Sequence, residues 1–225
     1  MKSMVLNGNA WKVLACACAA AVLAFACTIG VPQAHAADGI VAGSMQGKGA
    51  VVSAQASKAG KVRSLYKKVL GWADAGTHQF AKVYSRYSDH SNWWREYVVR
   101  DIDRNGTTDL FVRAGYSEAD SLWYGYTVKK GKIKFLGKVA GAHTGLCSGK
   151  KGKTYAWAMH RGVNGYTRIK LSGGKLKSVK KESVVDYAEL AGYPKATKFA
   201  KKRKIKLLNM YRTYDMTGIN KVKAK

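Results

Sequence analysis

Nine residues in the middle of the chain, Asp101-Ile102-Asp103-Arg104-Asn105-Gly106-Thr107-Thr108-Asp109, restrict its folding more than any other stretch. Oxygen-bearing side chains stand at loop positions 1, 3, 5 and 9 with a glycine at 6, the register in which an oxygen-lined loop wraps a calcium ion. Thr107, at position 7, can offer its backbone carbonyl, and Gly106 allows a sharp turn that a residue with a Cβ would resist. The runs Tyr97-Val98-Val99 before the loop and Leu110-Phe111-Val112 after it favour strands. The loop therefore joins two strands, and a pair of calcium-binding helix–loop–helix units is excluded.

A metal-free turn is the competing account. Asn105-Gly106 is itself a strong hairpin-turn signal, and Asp and Asn side chains cap turns without any ion. Such a turn has no use for carboxylates at both position 1 and position 9, and three unpaired carboxylates in one place repel.

The pattern D-x-D-x-D/N-G-x-x-D, followed here by Leu110, resembles the short calcium loops of FG-GAP-type, integrin-like β-repeats. It is similar to single-copy relatives of those repeats in secreted proteins of Gram-positive bacteria, where the loop sits in one hairpin of a β-meander. The resemblance implies Ca2+ as cofactor, held by the side chains of Asp101, Asp103, Asn105 and Asp109 and by the carbonyl of Thr107. This chain departs from calcium sensors at position 12, which is Val112 where an EF-hand sensor has a bidentate glutamate. Arg100, Arg104 and Arg113 also bring positive charge towards the loop. Three carboxylates without that glutamate imply an affinity on the order of 0.1 to 1 mM, the extracellular range.

Residues 1–36 read as an export signal. Lys2 and Lys12 precede an uncharged run over 13–31, and Ala34-His35-Ala36 has the small-x-small form that signal peptidase cleaves. The alternative is an uncleaved anchor, since nineteen uncharged residues span a bilayer if helical; Pro32 and the Ala-x-Ala site argue for cleavage. Lipidation at Cys27 is disfavoured by Ala24 and Phe25 in the positions before it. Cleavage removes Cys16, Cys18 and Cys27, so Cys147 is left without an intramolecular partner and reads as a small buried hydrophobe. The expected plan is then a signal at 1–36, a flexible Ala/Gly/Ser-rich lead at 37–60, one β-rich domain with an N-terminal helix at 61–215, and a basic tail at 216–225.

Two of the forty basic residues lie in the signal and none of the thirteen acidic ones, which leaves a charge of +25 after cleavage. A surface of that sign seeks polyanions, and outside a cell these are anionic wall polymers, acidic glycans, lipid headgroups and stray nucleic acid. The densest basic run, Lys201-Lys202-Arg203-Lys204-Lys206, suits such a contact or a plain solvated helix. Behind an export signal it carries no expectation of specific nucleic-acid binding.

The fold class expected is α+β, mostly β: an antiparallel β-meander with an N-terminal amphipathic helix and a short helical C-terminal segment. Val62, Leu65, Tyr66, Val69, Leu70 and Ala73 recur at helical spacing. Strands are expected near 95–101, 108–114, 122–128, 132–139, 153–160, 165–171 and 175–182, with turns at Lys130-Gly131, Asn164-Gly165 and Gly173-Gly174. Leu122, Tyr124, Tyr126 and Val128 share one strand face, and Tyr155, Trp157 and Met159 another, each read as an inward side. Residues 183–191 are expected as a short helix or turn, 195–202 as a helix, and 205–210 as a final strand. Of the aromatics between Phe80 and Trp94, core placement is favoured over an exposed stacking surface. The calcium loop occurs once, which disfavours a propeller of repeated blades.

No catalytic signature emerges. The remaining carboxylates are scattered, Gly149-Lys150-Lys151-Gly152-Lys153-Thr154 lacks the first glycine of a phosphate-binding loop, and Cys147 has no family signature linking it to His143 or His160. The expectation is a secreted, non-catalytic module at the cell envelope with a structural calcium loop, or alternatively a binding module for anionic wall polymers or glycans. Oligomeric state is not legible.

Overall fold

The structure, a computed structural model, describes residues 46–85, 93–189 and 192–225. The stretch expected to be an export signal and Tyr87 lie outside these residues. Among the described residues the chain is mostly β, with two antiparallel five-stranded sheets and a few helices. β1 (Trp94–Arg100), β2 (Asp109–Gly115), β3 (Leu122–Lys129) and β4 (Lys132–Val139) run as a meander, and the short β10 (Tyr211–Arg212) adds to the free edge of β1. In the second sheet β5 (Thr144–Ser148), β6 (Thr154–His160), β7 (Val163–Ser172) and β8 (Lys175–Tyr187) follow in order, with β9 (Lys206–Leu207) beside β5. The helices are α1 (Gln46–Asp74), α2 (Ala81–Tyr84), α3 (Pro194–Arg203) and α4 (Thr217–Asn220). No helix among the described residues is long and apolar enough to cross a membrane.

The first sheet is buried on both faces, and its alternation explains how. Leu110, Val112, Tyr124 and Tyr126 project to one side, where Val62, Tyr66, Val69, Leu70 and Ala73 of α1 cover them together with Phe80, Tyr84 and Trp93. Val98, Phe111 and Trp123 project to the other side and meet Leu146, Ala156, Ile169 and Leu176 of the second sheet. Burial of Phe80, Tyr84 and Trp93 makes them core residues rather than an exposed stacking surface. The helix begins at Gln46, inside the stretch expected to be a flexible lead. Ala50, Ala54, Ala56 and Ala59 in that stretch are the strongest helix formers.

Several expectations need correction in the second sheet. Tyr155, Trp157 and Met159 do not face the sheet-to-sheet core. Tyr155 is buried instead beneath Phe199 of α3, with ring centroids 6.1 Å apart, and Met159 is exposed. The inward positions of β6 carry Ala156, because two sheets in close contact leave room for small residues opposite Phe111 and Trp123. Asn164-Gly165 is not a turn but lies within β7; the chain reverses at Arg161-Gly162, both with positive φ (47° and 76°). Residues 183–187 are not helix or turn, since β8 runs on to Tyr187. A bulge between Thr167 and Arg168 puts Lys180, Lys181 and Glu182 out of the pairing, and this broke the period of two that marks a strand. β5 went unread because Thr144-Gly145-Leu146-Cys147-Ser148 is short and has no alternation, being buried along nearly its whole length. The expected strand at 205–210 is two residues long, Lys206–Leu207.

Candidate metal site

The loop between β1 and β2 is organised by its own aspartates. Asp101 Oδ2 accepts from the Gly106 N–H at 2.9 Å and Asp101 Oδ1 from the Asn105 N–H at 3.2 Å. Asp103 accepts from the backbone and side-chain nitrogens of Asn105 at 3.3 and 3.0 Å, and Asp109 Oδ2 accepts from the Ile102 N–H at 3.0 Å. Gly106 has φ +89°, and a Cβ there would lie 2.8 Å from Lys225 Cβ, so neither conformation nor space admits a side chain.

These bonds turn three carboxylates inward. Asp101, Asp103 and Asp109 each present an oxygen, and the three oxygens lie within 4.8 Å of one another. Two oxygens on opposite sides of a calcium ion at about 2.4 Å would be about 4.8 Å apart, so the cluster has the span of one such ion. Asn105 Oδ1 accepts from the Thr107 N–H at 2.6 Å, which uses one lone pair and leaves the other. Thr107 lines a cavity on the α1 side of the loop. The converging groups are thus the carboxylates, with Asn105 bracing the turn beside them.

Electrostatics set Asp109 apart. It is 1 % exposed. Burial is the largest cause pushing its carboxyl up to about 7; the Ile102 N–H and the Thr127 hydroxyl act against that shift, while the charges of Asp103 and Asp101 add to it. Among the described residues no ion pair reaches the three carboxylates. The arginines that the sequence brings towards the loop are turned elsewhere: Arg104 donates to the Lys151 carbonyl at 3.0 Å, Arg100 to the Gly152 carbonyl at 3.1 Å, and Arg113 pairs with Glu96 and Glu118. Arg100 and Arg104 fasten the loop to the second sheet instead of neutralising it.

No family model, curated protein or solved structure matches the chain.

Distant residues hold the loop in ways that no local pattern announces. Tyr66 of α1 donates its hydroxyl to the Thr108 carbonyl at 2.7 Å. The Thr108 N–H donates to the Lys223 carbonyl at 2.9 Å, and the Lys223 N–H donates back to Thr108 Oγ1 at 3.0 Å. Sequence reasoning missed Tyr66, Thr127 and Lys223 because their partners lie far along the chain.

The other sequence candidates take ordinary places. Burial pushes the Cys147 thiol up to about 12, so at neutral pH it is protonated. His143 lies with Nδ1 3.5 Å from Glu118 and stacks on His160 with centroids 3.7 Å apart. The Gly149–Thr154 segment contains a turn at Lys150–Gly152, whose carbonyls serve the two loop arginines.

Proposed function

We propose that this chain is a secreted, non-catalytic β-rich domain in which the loop at 101–109 binds a structural calcium ion, and that it acts at the cell envelope. The proposal includes kinship with single-copy FG-GAP-like calcium-loop domains. One observation carries the metal reading: three carboxylates, one of them fully buried, meet within 4.8 Å, and among the described residues no ion pair offsets them. A divalent ion is the simplest counter-charge of that size, and hard oxygen donors favour calcium over softer metals. Asp101, Asp103 and Asp109 would hold the ion, assisted by Asn105 and the Thr107 carbonyl. Its role would be to fix the β1–β2 junction.

Ligand binding to the native state raises stability by linkage. With an affinity on the order of 0.1 to 1 mM, 10 mM calcium is expected to raise the melting temperature by roughly 3–10 °C over the protein in chelator. Scanning calorimetry reads this directly, and an unchanged transition removes calcium from the account.

A second reading has its own support. The lysines of the 130–134 stretch, Lys130, Lys132 and Lys134, are exposed, as are Lys201, Lys202, Lys204 and Lys206 around the end of α3. These faces suit an anionic wall polymer, acidic glycan or lipid headgroup. Retention on purified wall polymer that disappears with added salt supports an electrostatic contact; retention that resists salt and yields to free sugar points to stacking on aromatic rings.

A further inference from the structure

We infer that a trough between α1 and the β3–β4 turn binds a single-chain lipid carrying a phosphate monoester head. The trough encloses about 590 Å3, within the range of about 300–1,000 Å3 typical of small-molecule sites. Its floor is apolar, formed by Val62 and Leu65 of α1 and Val128 of β3. Lys58 and Lys61 stand one turn apart along the same stripe of α1, and Lys130 faces them from the turn. These three lysines and Lys225, which also lines the trough, are exposed; no acidic side chain lines it, and among the described residues none of the four has an ion pair. Elsewhere the cations Lys153 and Arg168 are matched by Glu182, and Arg113 by Glu96 and Glu118. The trough combines a hydrocarbon-compatible floor with converging, uncompensated positive charge.

That combination selects its occupant. The floor favours an unbranched alkyl tail over a sugar or a bare anion. Four lysines, from α1, the β3–β4 turn and the 221–225 segment, match a phosphate monoester, with about −1.5 to −2 charges at neutral pH, better than a single carboxylate.

The test is titration of the purified protein with monomeric dodecyl phosphate, by calorimetry and by NMR of the Leu65 and Val128 methyl groups. It is run in calcium-free buffer, so that its outcome is separate from the calcium reading. Dodecyl phosphate is expected to bind one to one, at least about tenfold more tightly than inorganic phosphate or dodecyl maltoside, with shifts at both methyl groups. The double variant Lys61→Glu, Lys130→Glu is expected to weaken binding about tenfold or more. Lys195→Glu with Lys198→Glu makes the same charge change on exposed sites of α3 outside either proposed surface and is expected to leave affinity within about twofold. Circular dichroism checks that both variants keep their fold. Equal binding of the maltoside, equal losses in the two double variants, binding of many ligands per chain, attachment only to anionic vesicles, or no binding at all would each overturn the assignment.

Discussion

In calcium-free protein the Asp109 carboxylate lies buried beside Asp101 and Asp103, supported by Ile102 N–H and Thr127, and burial pushes it up to about 7. The unfolded chain releases this proton near pH 4, while the native state keeps it until about pH 7. Between those values the native state binds more protons than the unfolded one, so this residue's contribution to stability falls as pH rises from about 4 to about 7. Glu118, Glu182 and Asp215 have lowered pKa values, and what they contribute is lost only as pH falls through the lower carboxylate range. His160, lowered by desolvation and by the charge of His143, acts in the opposite sense to Asp109, so a comparison with Asp109→Asn isolates the aspartate. In chelator, urea unfolding is expected to show Asp109→Asn gaining on the parent protein between pH 5 and pH 8, by on the order of 2–4 kcal/mol. The same substitution is expected to abolish the calcium-induced rise in melting temperature. A pH-independent difference between the two proteins would mean that the buried carboxylate is already compensated.

At the scale of elements, the second sheet makes sense as a layer with two unlike faces. Its inner face is small at Ala156 because Phe111 and Trp123 arrive from the first sheet, and its outer face is covered by α3 through Phe199 on Tyr155 and Tyr166. Ala156→Leu is therefore expected to overpack the interface and destabilise by about 1–3 kcal/mol. Phe199→Ala, which uncovers Tyr155, is expected to cost about 3 kcal/mol. Denaturant titration measures both, and an Ala156→Leu protein as stable as the parent would show that the sheets stand further apart than described. The first sheet was legible because Tyr97 to Val99, Leu110 to Val112 and Leu122 to Val128 obey a period of two and the stripe of α1 obeys a period near four. The second sheet was read only in part. Its bulge at Thr167–Arg168 breaks that period, β5 has none, and Tyr155-Trp157-Met159 shows that alternation identifies a face without saying which side becomes the core. At the candidate site the three carboxylates were legible from spacing alone, whereas the turning away of Arg100 and Arg104 depends on a turn about fifty residues later.

For the whole molecule, positive charge is distributed over exposed lysines on α1, the β3–β4 turn, β8 and α3, while few acidic groups offset it. Adsorption to any polyanionic matrix is expected to be strong at low ionic strength and to be lost between about 50 and 500 mM salt, as the screening length shrinks to a few ångströms. Elution from a teichoic-acid resin over a salt gradient checks this; retention unchanged at high salt would demand contacts other than charge. The loop matters at this scale too. Through Tyr66 and Thr108 it is joined to the first helix, through Lys223 and Lys225 to the last residues, and through Arg100 and Arg104 to the second sheet. A pull applied between α1 and residues 221–225 would thus act on this loop together with the direct bond from Arg63 to the Val222 carbonyl. Stretching single molecules with and without calcium would reveal whether the ion sets the rupture force, making the domain a link whose mechanical strength is dialled by the salt outside it.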